Sequence, residues 1–83
     1  MVAYGQSYTT KDSLIFLIKN SKEDTVKLSL YNSIIEEIFL DDPKEALEYA
    51  KEMTEFSEKI QSKSGIANGF AWMGYLEEQF GNV

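Results

Sequence analysis

Asp42-Pro43-Lys44-Glu45-Ala46-Leu47-Glu48-Tyr49-Ala50-Lys51-Glu52-Met53 decides the fold. Asp42 is an acidic N-cap, Pro43 carries the fixed φ that suits the first helical position, and Glu45 places a carboxylate at the third. A helix therefore starts here. Beyond the cap, Ala46, Ala50 and Met53 recur at spacings of four and three, joined by Tyr49, Phe56 and Ile60. Small residues lie along one edge of this helix and bulky ones along the next, which lets a second helix approach closely.

Working outward toward the N-terminus, Ser21-Lys22-Glu23-Asp24 has the form of a capping box. Leu28, Tyr31, Ile35 and Ile38 then repeat at helical spacing, with Ile34 beside them. Before that, Thr9-Thr10-Lys11-Asp12 offers another capping box, followed at once by the apolar run Leu14-Ile15-Phe16-Leu17-Ile18 and a helix end near Asn20. Toward the C-terminus, the break at Gln61 to Gly65 supplies Ser62 or Ser64 as a cap. Ile66, Phe70, Met73 and Phe80 mark a fourth apolar face, and Gly81 stops it. With one proline and no strand-like alternation, the chain reads as all-α, with about four helices. The short connections make successive helices antiparallel.

Composition removes whole classes of function. There is no histidine and no cysteine, so disulfides, thiolate metal sites, the Ser/His/Asp and Cys/His constellations and the usual general base are excluded. No nucleophile, base and orienting group can be named together, and the expectation is a non-enzyme without cofactor or metal. The pairs Glu36-Glu37 and Glu77-Glu78 lack the Glu-x-x-His spacing of carboxylate metal sites. Eight basic against fourteen acidic side chains give a net charge of −6. No basic face gathers among them, which argues against nucleic acid and anionic membrane as partners. The longest apolar run, Leu14 to Ile18, falls far short of the roughly 18 residues a membrane span requires.

Two stretches resemble the tetratricopeptide repeat family. Asp42 to Ala50 looks like the second helix of a repeat, with Ala46 at the small position where paired helices touch. Gly65-Ile66-Ala67-Asn68-Gly69-Phe70-Ala71-Trp72-Met73-Gly74, running on to Gly81-Asn82, is similar to the first helix of the next repeat, with Phe70, Met73 and Gly74 at its large-apolar, apolar and small positions. Ala46 and Gly74 stand 74 − 46 = 28 residues apart, against about 22 in the minimal repeat of roughly 34 residues, which fits a longer variant of about 40. Asp24 to Lys27 with Tyr31-Asn32, Ile34 and Ile38 resembles the first helix of the preceding repeat. Ile35 and Glu77 depart from the family pattern, so the first repeat is expected to be irregular and cap-like.

The resemblance implies a right-handed α-solenoid of antiparallel helical hairpins over residues 9–83, with an irregular repeat at about 24–62 and the start of another at about 63–83. It also implies a non-catalytic protein-protein interaction scaffold, similar to the N-terminal sensor region of bacterial signal-transduction proteins. Ala46, Ala50, Met53, Gly74 and Gly81 are then packing positions, and Asn32, Glu36, Asn68, Ala71, Tyr75 and Glu78 line the groove for a protein or peptide. An array that stops in mid-repeat would leave open the face of Phe70, Trp72, Met73, Leu76 and Phe80, which a homodimer could cover. The competing expectation is a self-contained four-helix bundle acting as a small structural or regulatory homodimer, which would bury the Phe70 and Trp72 face. Residues 1–8 read either as a flexible lead-in or as the remnant of a secretory signal, the second placing the chain in a bacterial periplasm and the first leaving the cytoplasm open.

Overall fold

The computed structural model describes residues 10–81. The capping residue expected at Thr9, the lead-in of residues 1–8, Asn82 and Val83 lie outside the described residues. Four α-helices follow one another: α1 (Thr10–Asn20), α2 (Asp24–Ile38), α3 (Pro43–Lys59) and α4 (Lys63–Phe80). No strand occurs among the described residues.

The start of α3 is built as its sequence dictates: the Asp42 side chain accepts a hydrogen bond of 3.1 Å from the Glu45 N–H, with Pro43 in the first turn. This satisfies one of the N–H groups that a helix start leaves without a partner. The expected capping box at Ser21 does not form. α2 begins at Asp24 with Glu23 as N-cap and no side-chain cap. Ser21 lies two residues too early and its hydroxyl bonds the Glu23 carbonyl instead, at 3.4 Å.

The α3–α4 connection is tighter than the sequence implies. Ser62 N–H reaches back to the Ser57 carbonyl at 2.8 Å, and Gln61 N–H to the Glu58 carbonyl at 3.1 Å. These are the two bonds of a Schellman motif, and the left-handed residue between the helices is Gln61, at φ 60. Ser62 then caps α4, its Oγ accepting from Gly65 N–H at 3.1 Å. One serine thus closes one helix and opens the next.

Packing is extensive between helices adjacent in sequence: α1 with α2, α2 with α3, α3 with α4. Gly65 of α4 lies over Ser57 of α3, and Gly69 over Thr54, so the numbering of the two helices runs in opposite directions. Helices two apart run side by side and parallel. Lys11 of α1 pairs with Glu45 of α3 at 2.6 Å, and Phe39, just after α2, packs on Trp72 and Tyr75 of α4. The result is a slab of two layers, α1 and α3 in one and α2 and α4 in the other, with extents of 38 × 32 × 14 Å. Contact between α1 and α4, which would close a four-helix ring, is not among the extensive ones.

The core follows the layers. Tyr31, Ile34, Ile35 and Ile38 of α2 and Ala46, Leu47, Ala50 and Met53 of α3 are buried, with Ile18 from α1 and Leu76 from α4. The fourth face differs from expectation. Its buried line is Gly65, Gly69 and Leu76, whereas Ile66 and Met73 are half-buried and Phe70 is 56% exposed. Two polar groups enter the α3–α4 seam. Thr54 and Ser57 are buried, and their hydroxyls donate to the Ala50 and Met53 carbonyls one turn earlier, at 2.8 and 2.7 Å. Bonding to their own helix satisfies them without a partner on α4.

Candidate protein-interaction groove

Where α2 and α4 run side by side, an open groove forms on the outer surface of their layer. Its first half, near the N-terminal ends of both helices, is a hollow of about 430 Å³ floored by Leu28 and Met53. Thr25, Ser29, Asn32, Ser33, Ser62, Ser64 and Asn68 surround it. Every polar group in this set is an uncharged hydroxyl or amide, able both to donate and to accept. The second half, about 320 Å³, is lined by Phe39, Asn68, Ala71, Trp72 and Tyr75. Asn68 belongs to both halves and joins them.

The floor between the halves is set by one hydrogen bond. The Trp72 indole N–H donates to Asn32 Oδ1 at 2.7 Å, linking α4 to α2. Trp72 is half-buried, with one side toward the core and one side in the groove. Around it three rings meet: Phe39 and Trp72 are tilted at 5.6 Å, while Phe39 to Tyr75 at 5.9 Å and Trp72 to Tyr75 at 6.0 Å between centroids are edge to face. Such pairs are favourable beyond their buried area and hold one another rigid. Tyr75 remains 42% exposed, so its ring can still cover a partner.

Of the six groove residues expected from the sequence, the structure brings four together: Asn32, Asn68, Ala71 and Tyr75. Glu36 and Glu78 are exposed and do not line the two hollows. They lie one turn beyond Asn32 and Tyr75 on their helices and place negative charge at the aromatic end. Sequence reasoning missed Phe39, which sits in the turn after α2. Its spacing of seven from Asn32 and four from Ile35 was the available signal.

The face expected to stand open divides. Leu76 is fully buried and belongs to the core, Trp72, Met73 and Phe80 are half-buried, and Phe70 is exposed. Among the small positions, Ala46, Ala50 and Met53 are buried. Gly74 is not a close-packing residue: a Cβ built there meets nothing within 4 Å, while Gly65 and Gly69 carry the close approach to α3. Gly81 caps α4 with a positive φ of 72°.

Burial raises the Tyr31 hydroxyl above its ordinary 10.0, and Glu52 adds to the effect. Tyr49 is raised likewise by burial, then by Glu45 and Glu52. These groups stand on the opposite side of the slab from the groove, against α1. No group of three or more Asp, Glu, His or Cys side chains able to hold a metal ion occurs among the described residues.

Among the described residues, fold and groove together define an all-α unit of four helices with an uncharged polar and aromatic trough between parallel helices. No family model matches the chain, and no curated protein or solved structure matches it. No helix among the described residues is long and apolar enough to cross a membrane.

Proposed function

We propose that this chain is a non-catalytic protein-interaction scaffold, a tetratricopeptide-like section of α-solenoid whose α2–α4 groove holds a peptide segment of another protein. The observation that carries this reading is the groove itself, where uncharged hydrogen-bonding groups run into an exposed aromatic cluster. The first half suits the N–H and C=O groups of a peptide backbone, and the second offers Tyr75 and Trp72 as anchors. The groove carries no cation, and Glu36 and Glu78 flank its aromatic end, so the favoured segment pairs an apolar residue with lysine or arginine. The packing supports the repeat reading, because α2 and α4 lie parallel as the first helices of neighbouring repeats do, with α3 behind them. By the same resemblance, its place is in the sensor region of a bacterial signalling protein.

The test is selection of short peptides from a random displayed library on the folded chain, followed by titration using the fluorescence of Trp72, the only tryptophan. Selected peptides should be rich in lysine or arginine and should change that fluorescence. Tyr75→Ala should weaken them by about tenfold or more, as loss of an aromatic anchor does. Ala71→Arg, which fills the aromatic half, should abolish binding. Peptides that bind both variants as well as the parent would refute the groove as the site.

A further inference from the structure

The outer edge of α4, away from the groove, carries a second pattern. Lys63, Ile66, Phe70, Gly74 and Glu77 follow one another at spacings of three and four, so they form one stripe along the helix. All but Ile66 are exposed, and Ile66 is half-buried. The order is self-complementary about Phe70. Lys63 lies seven residues before it and Glu77 seven after, while Ile66 lies four before and Gly74 four after.

We infer that this stripe is the contact surface for a second copy of the chain, with the two α4 helices antiparallel and a two-fold axis passing at Phe70. A two-fold arrangement places residue i of one copy opposite residue 140 − i of the other. Lys63 then faces the second copy's Glu77, Glu77 faces its Lys63, and the two Phe70 rings meet at the axis. Bulk meets vacancy in the same register. Ile66 falls opposite Gly74, where a built Cβ meets no atom of a neighbouring element among the described residues within 4 Å, and Met73 falls opposite Ala67. Among the described residues neither Lys63 nor Glu77 has an ion-pair partner, and the pair present there is Lys11 with Glu45.

A parallel arrangement would set Lys63 against Lys63 and Glu77 against Glu77, and like charges at that spacing repel. The charge pattern therefore selects the antiparallel pair. A contact along one helix edge belongs to the small interfaces, below about 1,200 Å², so the dimer is weak and exchanges readily. It is the isologous kind of contact, closed at two copies. The stripe is separate from the α2–α4 groove, so the inference stands or falls independently of the groove's ligand.

The experiment combines sedimentation equilibrium over a concentration series with cysteine cross-linking, which the absence of native cysteine makes clean. The chain should pass from monomer to dimer as concentration rises, and Phe70→Glu should remain monomeric with unchanged helix content. Lys63→Glu should weaken the dimer by about tenfold, since it removes two pairs and creates two repulsions. Adding Glu77→Lys to it should restore the parent value. A mixture of Lys63→Cys and Glu77→Cys chains should cross-link, whereas either alone should not, its two sulfurs standing about 21 Å apart along the helices. A chain monomeric at every concentration overturns the inference, as does a dimer indifferent to both charge reversals or one in which each single cysteine links to itself.

Discussion

Alanine at Gly69 and alanine at Gly74 should change stability in opposite directions, although both positions lie in the interior of the same helix. Replacing a helical glycine by alanine in open space stabilises by about 0.5–1 kcal/mol, because glycine has more backbone freedom to lose on folding. Gly74 is that case, since its added Cβ has no neighbour within 4 Å. At Gly69 the same Cβ collides with the Thr54 hydroxyl and lies 3.0 Å from Thr54 Cβ and 3.2 Å from Thr54 Cα. The hydroxyl is held by its bond to the Ala50 carbonyl at 2.8 Å, and the Cα is backbone, so relief requires moving α3 away from α4. Overpacking of this kind costs about 1–3 kcal/mol, and subtracting the helix gain leaves a net loss of up to about 2.5 kcal/mol. For a domain this small that lowers Tm by up to about 20 °C, while Gly74→Ala raises it by about 2–8 °C. Thermal melts followed by circular dichroism, at concentrations low enough to keep the chain monomeric, read both. Adding Thr54→Ala to Gly69→Ala should recover part of the loss. If Gly69→Ala melts at or above the parent temperature, α3 and α4 do not meet at these glycines and the packing of the slab is wrong.

Three further outcomes follow from particular contacts. Gln61→Gly should stabilise by about 1 kcal/mol in urea unfolding, because Gln61 occupies the left-handed position that glycine adopts without strain; a loss of stability would show that the turn is not the one described. Asp42→Ala should cost about 1 kcal/mol by removing the cap on the Glu45 N–H, and Asp42→Asn should restore most of it. Stability should fall above about pH 10: Tyr31 and Tyr49 are raised by burial, and Lys11 by its hydrogen bond to Glu45. With folded values above unfolded ones, the unfolded chain loses its protons first, so this stabilisation is full below the ordinary values and is lost as pH rises through the raised ones. A urea midpoint lower at pH 11 than at pH 8, with a smaller drop in Tyr31→Phe, is the expected result; equal drops in parent and variant would exclude Tyr31 as a cause.

Much of the fold was legible because its signals are local. The Asp42-Pro43-Lys44-Glu45 start, the helical spacing of Tyr31, Ile34, Ile35 and Ile38, and the stop at Gly81 depend on residues within a turn or two of one another. A capping side chain or a φ preference acts on its own backbone, so four helices and an all-α class can be read before any packing is known. The Ser21 cap misled for the same local reason: Ser21-Lys22-Glu23-Asp24 has the spacing of a capping box, but spacing does not say where the first helical turn begins, and α2 begins at Asp24 with Glu23 as its N-cap. At the groove, Asn32, Asn68, Ala71 and Tyr75 were legible as positions on two helices, whereas Phe39 was not, because a turn residue joins a site only through the direction the chain takes after it.

Sequence alone therefore determined the helices, the Asp42 cap of α3, the short connections and the exclusion of histidine- and thiol-based chemistry. Only the tertiary structure decided which face of α4 is inside. Phe70 is more apolar than Gly69, and periodicity assigns it to the core. Yet Gly69 is buried and Phe70 exposed, because close approach of α4 to Thr54 and Ser57 of α3 rewards absence of a side chain at the seam. Hydrophobicity ranks residues one at a time, but packing selects pairs by the space between them, and that space exists only once both helices are in place.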